Sequence, residues 1–238
     1  MKALAVFLMA VLFFSCSTIP QVQPTQQEIL IKIQGVDTVQ VEQQANKEAS
    51  RTMSVENPYG ELSMMTFLIG EEAYSMIVSG ISVGDVTRFW KDIHIIESMG
   101  IKTIQLFVNS GGGDAFTGLA LSDEIKRAQK RGTKVIAHAS GIIASATVPV
   151  FAVCDLRIAA PGTIFMVHET SIWKWAGQES SSDLDSQREM IELLRCRYLD
   201  TLTDHSTLTK EEWRAMEKKT SWFGSDDAKK YGIVDLIE

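Results

Sequence analysis

From Leu62 to the C-terminus the sequence alternates between strand-like and helix-like periods, and this alternation restricts the fold more than any other feature. Leu62–Ile69 is an apolar run that Gly70-Glu71-Glu72 turns into Tyr74–Ile81. Val86, Phe89, Trp90, Ile93 and Ile96 recur at helical spacing, which predicts a helix from Val83 to Met99 closed by Gly100. Thr103–Val108 is β-rich, a second helix runs from Asp114 towards Lys130, and Lys134–Ala137 is the next strand. The small-residue stretch Ala139–Thr147 leads into an apolar helix ending near Val153; Leu156–Ala159 and Thr163–Val167 are further strands. Strands joined by helical crossovers run parallel and bury both faces of their sheet. The expected class is therefore α/β with a mostly parallel sheet.

The last third is different. Ser180–Leu202 carries Leu184, Ile191, Leu194, Tyr198 and Leu202 among charges, one long amphipathic helix with Ser182-Asp183 at its N-cap. Thr209-Lys210-Glu211-Glu212 has capping-box spacing, Ser225–Tyr231 is a short helix stopped by Gly232, and Ile233–Ile237 closes the chain as a strand.

Residues 1–58 follow neither pattern. Lys2 precedes twelve apolar residues, Ala3–Phe14, and then Ser15 and Cys16. This is the layout of an export signal over residues 1–15. Leu12-Phe13-Phe14-Ser15-Cys16 resembles a bacterial lipoprotein signal, with Phe13 where leucine is usual, and so implies a lipid on Cys16. An uncleaved anchor, or secretion with cleavage nearby, is the alternative. Residues 16–58 read as a tether: positions 17–58 hold three prolines, eight glutamines and no aromatic residue. Glu28–Gln34 alternates, so an edge hairpin and a flexible linker both fit that stretch. The expected location is the cell envelope, with residues 59–238 as the folded domain.

Charge and cysteines exclude several functions. A net charge of −7 with no basic run argues against nucleic acid as a partner. The cysteines, Cys16, Cys154 and Cys196, have no C-x-x-C spacing, which excludes a disulfide scaffold and a cysteine-rich zinc site. Cys154 and Cys196 read as two buried free thiols, pairing in an oxidising compartment being the alternative.

Three segments carry residues that chemistry needs. Asn109-Ser110-Gly111-Gly112-Gly113-Asp114 lies between a strand and a helix, where glycines let backbone N–H groups face an anion. Alone, such a run is as readily a tight turn. Ser145, within Ser140-Gly141-Ile142-Ile143-Ala144-Ser145-Ala146, has little bulk around it and a helix start behind it, as a nucleophilic serine requires. The G-x-S-x-G elbow is not matched, and a serine in such a stretch also serves helix packing. His168 ends the apolar strand Ile164–Val167, and histidine titrates near neutral pH as a general base must. His138, which also ends a strand, competes; His94 and His205 are given no role.

These segments, taken in order, carry a resemblance. Ser79-Gly80-Ile81, Asn109–Gly113, Ala144-Ser145-Ala146, Met166-Val167-His168-Glu169 and Tyr231-Gly232-Ile233-Val234-Asp235 together resemble the Clp-type serine peptidase family, over Tyr74 to Ile237. The resemblance implies a repeated β-β-α superhelix of the ClpP/crotonase type. Trp175-Ala176-Gly177-Gln178 and the helix after it resemble the protruding handle through which that family's subunits form a ring. It further implies Ser145 as nucleophile, His168 as base, and the N–H groups of Gly112 and Ala146 as oxyanion hole. Peptides or unfolded proteins are the implied substrates, and no cofactor or metal is. Two positions depart from the family. Gly111 stands where proline is usual, and Thr220 stands where the third triad member is aspartate. Thr220 carries no charge; Glu217, one turn earlier, is the other candidate for that place. Two alternatives remain open. Gly111–Phe116 and Cys154–Ala159 are similar to segments of crotonase-type acyl-CoA enzymes, and Thr220 fits a family member that serves as a scaffold or binding module.

Overall fold

Alternate residues of the central strands are inaccessible to solvent, and the whole architecture follows from covering them. The computed structural model describes residues 60–171 and 180–238, all within the unit Val55–Glu238. The expected leader, Cys16, the tether and the handle residues Trp175–Gln178 lie outside the described residues. In chain order the elements are β1 (Thr66–Ile69), β2 (Glu72–Ile81), α1 (Val83–Ser98), β3 (Thr103–Gly113), α2 (Ala115–Lys130), β4 (Lys134–Ala144), α3 (Thr147–Ala152), β5 (Leu156–Ala159), β6 (Ile164–Val167), α4 (Ser181–Asp204), α5 (Lys210–Lys219), β7 (Ser221–Gly224), α6 (Ser225–Lys230) and β8 (Leu236–Ile237).

The sheet has the order β1-β2-β3-β4-β5-β8, with β6 pairing β4 and β7 pairing β6. β1–β2 and β6–β7 are antiparallel; every other pair is parallel. The expected α/β class with a mostly parallel sheet is what the chain forms. Ile104, Leu106 and Val108 of β3 and Val135 and Ala137 of β4 point into the core, where Ile125, Phe151 and Phe165 meet them. Even-numbered β3 residues face that core. Odd-numbered Phe107 lies on the other face, in a stack of rings running Phe67, Tyr74, Phe107, His138 across β1 to β4.

Helix starts obey local chemistry. Asp114 caps α2 by accepting the Thr117 N–H at 2.7 Å. Thr209 and Glu212 form the expected capping box of α5. The cap of α4 is Ser180 with Asp183, two residues before the predicted Ser182.

β4 divides the sheet and thereby sets the site. Its first half, Ile136–Ala139, pairs β5, while Ile142–Ala144 pairs β6. Between them Gly141 has φ of 75°, and a Cβ there would lie 2.8 Å from Asn109 Oδ1. That same oxygen accepts the Ile142 N–H at 3.2 Å. A glycine is required at this bend by both conformation and space. The redirected strand delivers Ser145 beside the end of β6.

Candidate active site

Ser145 occupies the turn between β4 and α3 in the left-handed region, with φ of 55°. Few non-glycine residues adopt it, and they do so where the surroundings enforce it. Its N–H donates to Met166 O at 2.8 Å, which ties the turn to β6, and its carbonyl accepts the Val148 N–H at 3.0 Å as α3 begins. β6 ends one residue before His168. The two side chains meet, with Ser145 Oγ 2.8 Å from His168 Nε2. The contact opens on a cavity of about 660 Å³ lined by Gly111, Gly113, Phe116, Ala146, Leu194 and Tyr198, among others.

Ala146, expected to contribute its N–H, is the N-cap of α3 and lines this cavity. Gly112 does not. It is buried, and its N–H donates to Ser110 Oγ at 3.2 Å. The strand pleat explains the difference: along β3 burial alternates, so Gly112 falls on the core side while Gly111 and Gly113 face the cavity. Gly112 has a different task. A Cβ there would lie 2.7 Å from both Ala144 O and Ser145 Cβ, so its absence lets β3 approach the nucleophile turn. Ser110, fully buried, also accepts from Thr147 Oγ1 at 2.9 Å and so fastens the glycine strand to α3.

Thr220 is exposed, caps α5 with φ of 53°, and donates its N–H to Glu217 O at 3.1 Å. The β6–β7 ladder ends at Val167 opposite Ser221, which places Thr220 one step beyond, across from His168. Glu217 is buried and accepts a hydrogen bond from Arg195 Nε. Burial pushes its carboxyl up, and Arg195 opposes that rise. Among the described residues neither Thr220 nor Glu217 is hydrogen-bonded to His168.

His138 lies elsewhere. Its Nε2 is 2.7 Å from Gln105 Oε1, its ring stacks on Phe107, and burial lowers its pKa. Cys154 is buried, with its thiol pushed well above the ordinary range by burial. Cys196 is exposed on α4, not buried as expected. Its place on the outward face of an amphipathic helix is the reason. Among the described residues both thiols are free.

Two contributors escaped the sequence. Tyr198 donates its hydroxyl to Ser145 O at 3.4 Å, and burial, with the charge of Glu217 adding, raises its phenol well above the usual value. Arg195 reaches the segment after β6, with Nη2 3.5 Å from Glu169 Oε1. Both are one turn apart on α4, where they read as parts of an ordinary amphipathic pattern.

The chain is similar to known proteins. The family model described as Clp protease matches residues 63–238. The chain is 29% identical over 149 residues to ATP-dependent Clp protease proteolytic subunit 2 of Pseudomonas aeruginosa, covering 62% of this chain and 71% of that one. It is 25% identical over 138 residues to the ATP-dependent Clp protease proteolytic subunit of Bacteroides fragilis, covering 57% and 64%. It therefore spans less than two thirds of the Bacteroides subunit. Among solved structures, a variant of ClpP1 from Listeria monocytogenes superposes with a TM-score of 0.61 at 23% identity, covering 69% of this chain and 90% of that one. That likeness concerns the fold. With the family model matching three quarters of its length, the chain belongs to the Clp protease family.

Proposed function

We propose that the chain is a serine endopeptidase of the cell envelope that cleaves peptides or unfolded proteins through an acyl-enzyme. The observation that carries this reading is the 2.8 Å contact between Ser145 Oγ and His168 Nε2 at the mouth of the cavity. His168 accepts the Ser145 proton as Oγ bonds to the substrate carbonyl carbon, and returns it to the departing amine. The carbonyl electron pair moves to oxygen, which takes hydrogen bonds from backbone N–H groups of Gly113 and Ala146. Two facts favour Gly113 over Gly112. It lines the cavity, and the Asp114 N–H donates to Ile81 O at 3.2 Å on the β2 side, so the preceding N–H in the strand faces away from β2. The acyl-CoA reading gives the Ser145–His168 contact no task, and the scaffold reading rests on Thr220 alone.

The setting follows from the N-terminal sequence. Export by residues 1–15 and a lipid on Cys16 would hold the domain at a membrane surface on the 16–58 tether, where ATP is not supplied. Substrates would then enter a homo-oligomeric ring without ATP-driven threading.

A fluorophosphonate probe applied to separated cell fractions tests both parts. Full-length protein should be labelled in the membrane fraction without added nucleotide, and Ser145→Ala should lose both the label and peptide cleavage. Undiminished cleavage by Ser145→Ala would end the enzymatic assignment. Cys16→Ser should move the labelled protein to the soluble fraction; unchanged retention refutes the lipid anchor.

A further inference from the structure

Two buried charges adjoin the His168 segment without a part in the reaction above. Glu217, 2% exposed, and Arg195, 9% exposed, form an ion pair between α5 and α4. Burying such a pair has a large desolvation penalty, and removing one partner strands the other. Arg195 does more than pair: it also lies 3.5 Å from Glu169, the residue after His168. One guanidinium thus joins the segment that carries the base to the helix end that presents Thr220 opposite it. The groups facing this junction are Glu192 of α4, 3.3 Å from Arg195, and Tyr198 one turn on, whose hydroxyl reaches Ser145 O. Arg214, on α5 itself, also acts on Glu217.

We propose that Glu217, held by Arg195, is a positioning residue for His168 and stands in for a carboxylate at position 220. Through Arg195 it pins the two segments that flank the imidazole. Glu217 itself transfers no proton. The inference rests on the reading of Ser145 and His168 as nucleophile and base.

Steady-state peptide hydrolysis by the full chain tests it. Glu217→Gln should lower kcat about tenfold or more with little change in KM. Arg195→Lys, which keeps the charge, should retain part of the activity. Thr220→Asp should raise kcat, and in that background the loss caused by Glu217→Gln should shrink to about twofold. A rise in KM with kcat unchanged, or an equal loss in both backgrounds, overturns the inference. If Glu217→Gln does not fold by circular dichroism, Thr220→Asp decides: no gain in kcat overturns it. Fluorophosphonate labelling separates the two levels. Ser145 labelled in the wild type with Glu217→Gln behaving like wild type removes the inference alone; no labelling in wild type or Thr220→Asp removes the underlying reading and the inference with it.

Discussion

Among the described residues, Ser79, Ser145 and Thr220 are the non-glycine residues with positive φ, and two of the three stand at the candidate site. A left-handed conformation costs a non-glycine residue about 1 kcal/mol or more, so the contacts around Ser145 have to enforce it. Gly118 is part of that enforcement. It sits within α2 at ordinary φ, yet an added Cβ would overlap Ala146 O and lie 3.0 Å from Ala146 Cβ. Gly118→Ala should therefore push α2 from the nucleophile turn. The expected loss is about 1–3 kcal/mol in urea unfolding, together with a fall in kcat. Gly162→Ala, where nothing lies within 4 Å, is the matched control and should leave both unchanged. The serine and the histidine were legible in the sequence because their neighbours are distinctive. The choice among Gly111, Gly112 and Gly113 was not. Three identical residues carry no mark of which one the pleat turns inward, and only the phase of β3 decides it.

Helix boundaries were nearly all legible, since α2, α4 and α5 start at a capping side chain and α1, α2 and α6 stop just before a glycine, both of which the sequence displays. Strands were less so. β3 and β4 extend through their glycines to Gly113 and Ala144, past their expected ends at Val108 and Ala137. β7, the four residues Ser221–Gly224, is held by pairing with β6 and has no alternation of its own to announce it. The long helix was legible as amphipathic, but not what its halves do. Its C-terminal half packs through Leu194, Leu199 and Leu202, while Leu184 and Leu193 are exposed. Under the ring reading this exposed stretch of α4 meets a neighbouring subunit. Leu193→Glu, at a side chain 63% exposed, should leave the fold intact and shift sedimentation from a multimer towards monomer mass. An unchanged sedimentation profile would place the interface elsewhere.

At the scale of the whole molecule, one ion pair closes the chain. Arg157 of β5 bonds both carboxylate oxygens of Asp235, at 2.9 and 2.7 Å, and its Nη1 reaches His205 O at the end of α4. Burial works to raise the Asp235 pKa, but the hydrogen bonds and charge of Arg157 outweigh it and hold the carboxyl below its ordinary value. A carboxylate depressed in the folded state adds stability above its unfolded pKa, about 3.9, and loses it as pH falls through the folded value. Asp235→Asn should therefore be less stable than wild type at pH 7 in urea titrations, with the two curves converging below about pH 4. Curves that stay apart in acid would assign the difference to packing.

The candidate site draws on Gly113, Ser145, His168 and Tyr198, which belong to separate elements of the chain. No single hairpin or helix pair holds them together, so the site exists only once β3, β4, β6 and α4 have all docked. Contacts this distant in sequence form late, after loop closure has been met for each. A chain still being synthesised thus carries its serine in an ordinary unreactive state. Under the proposed reading, folding itself is the safety catch that keeps a nascent peptidase from the proteins around it.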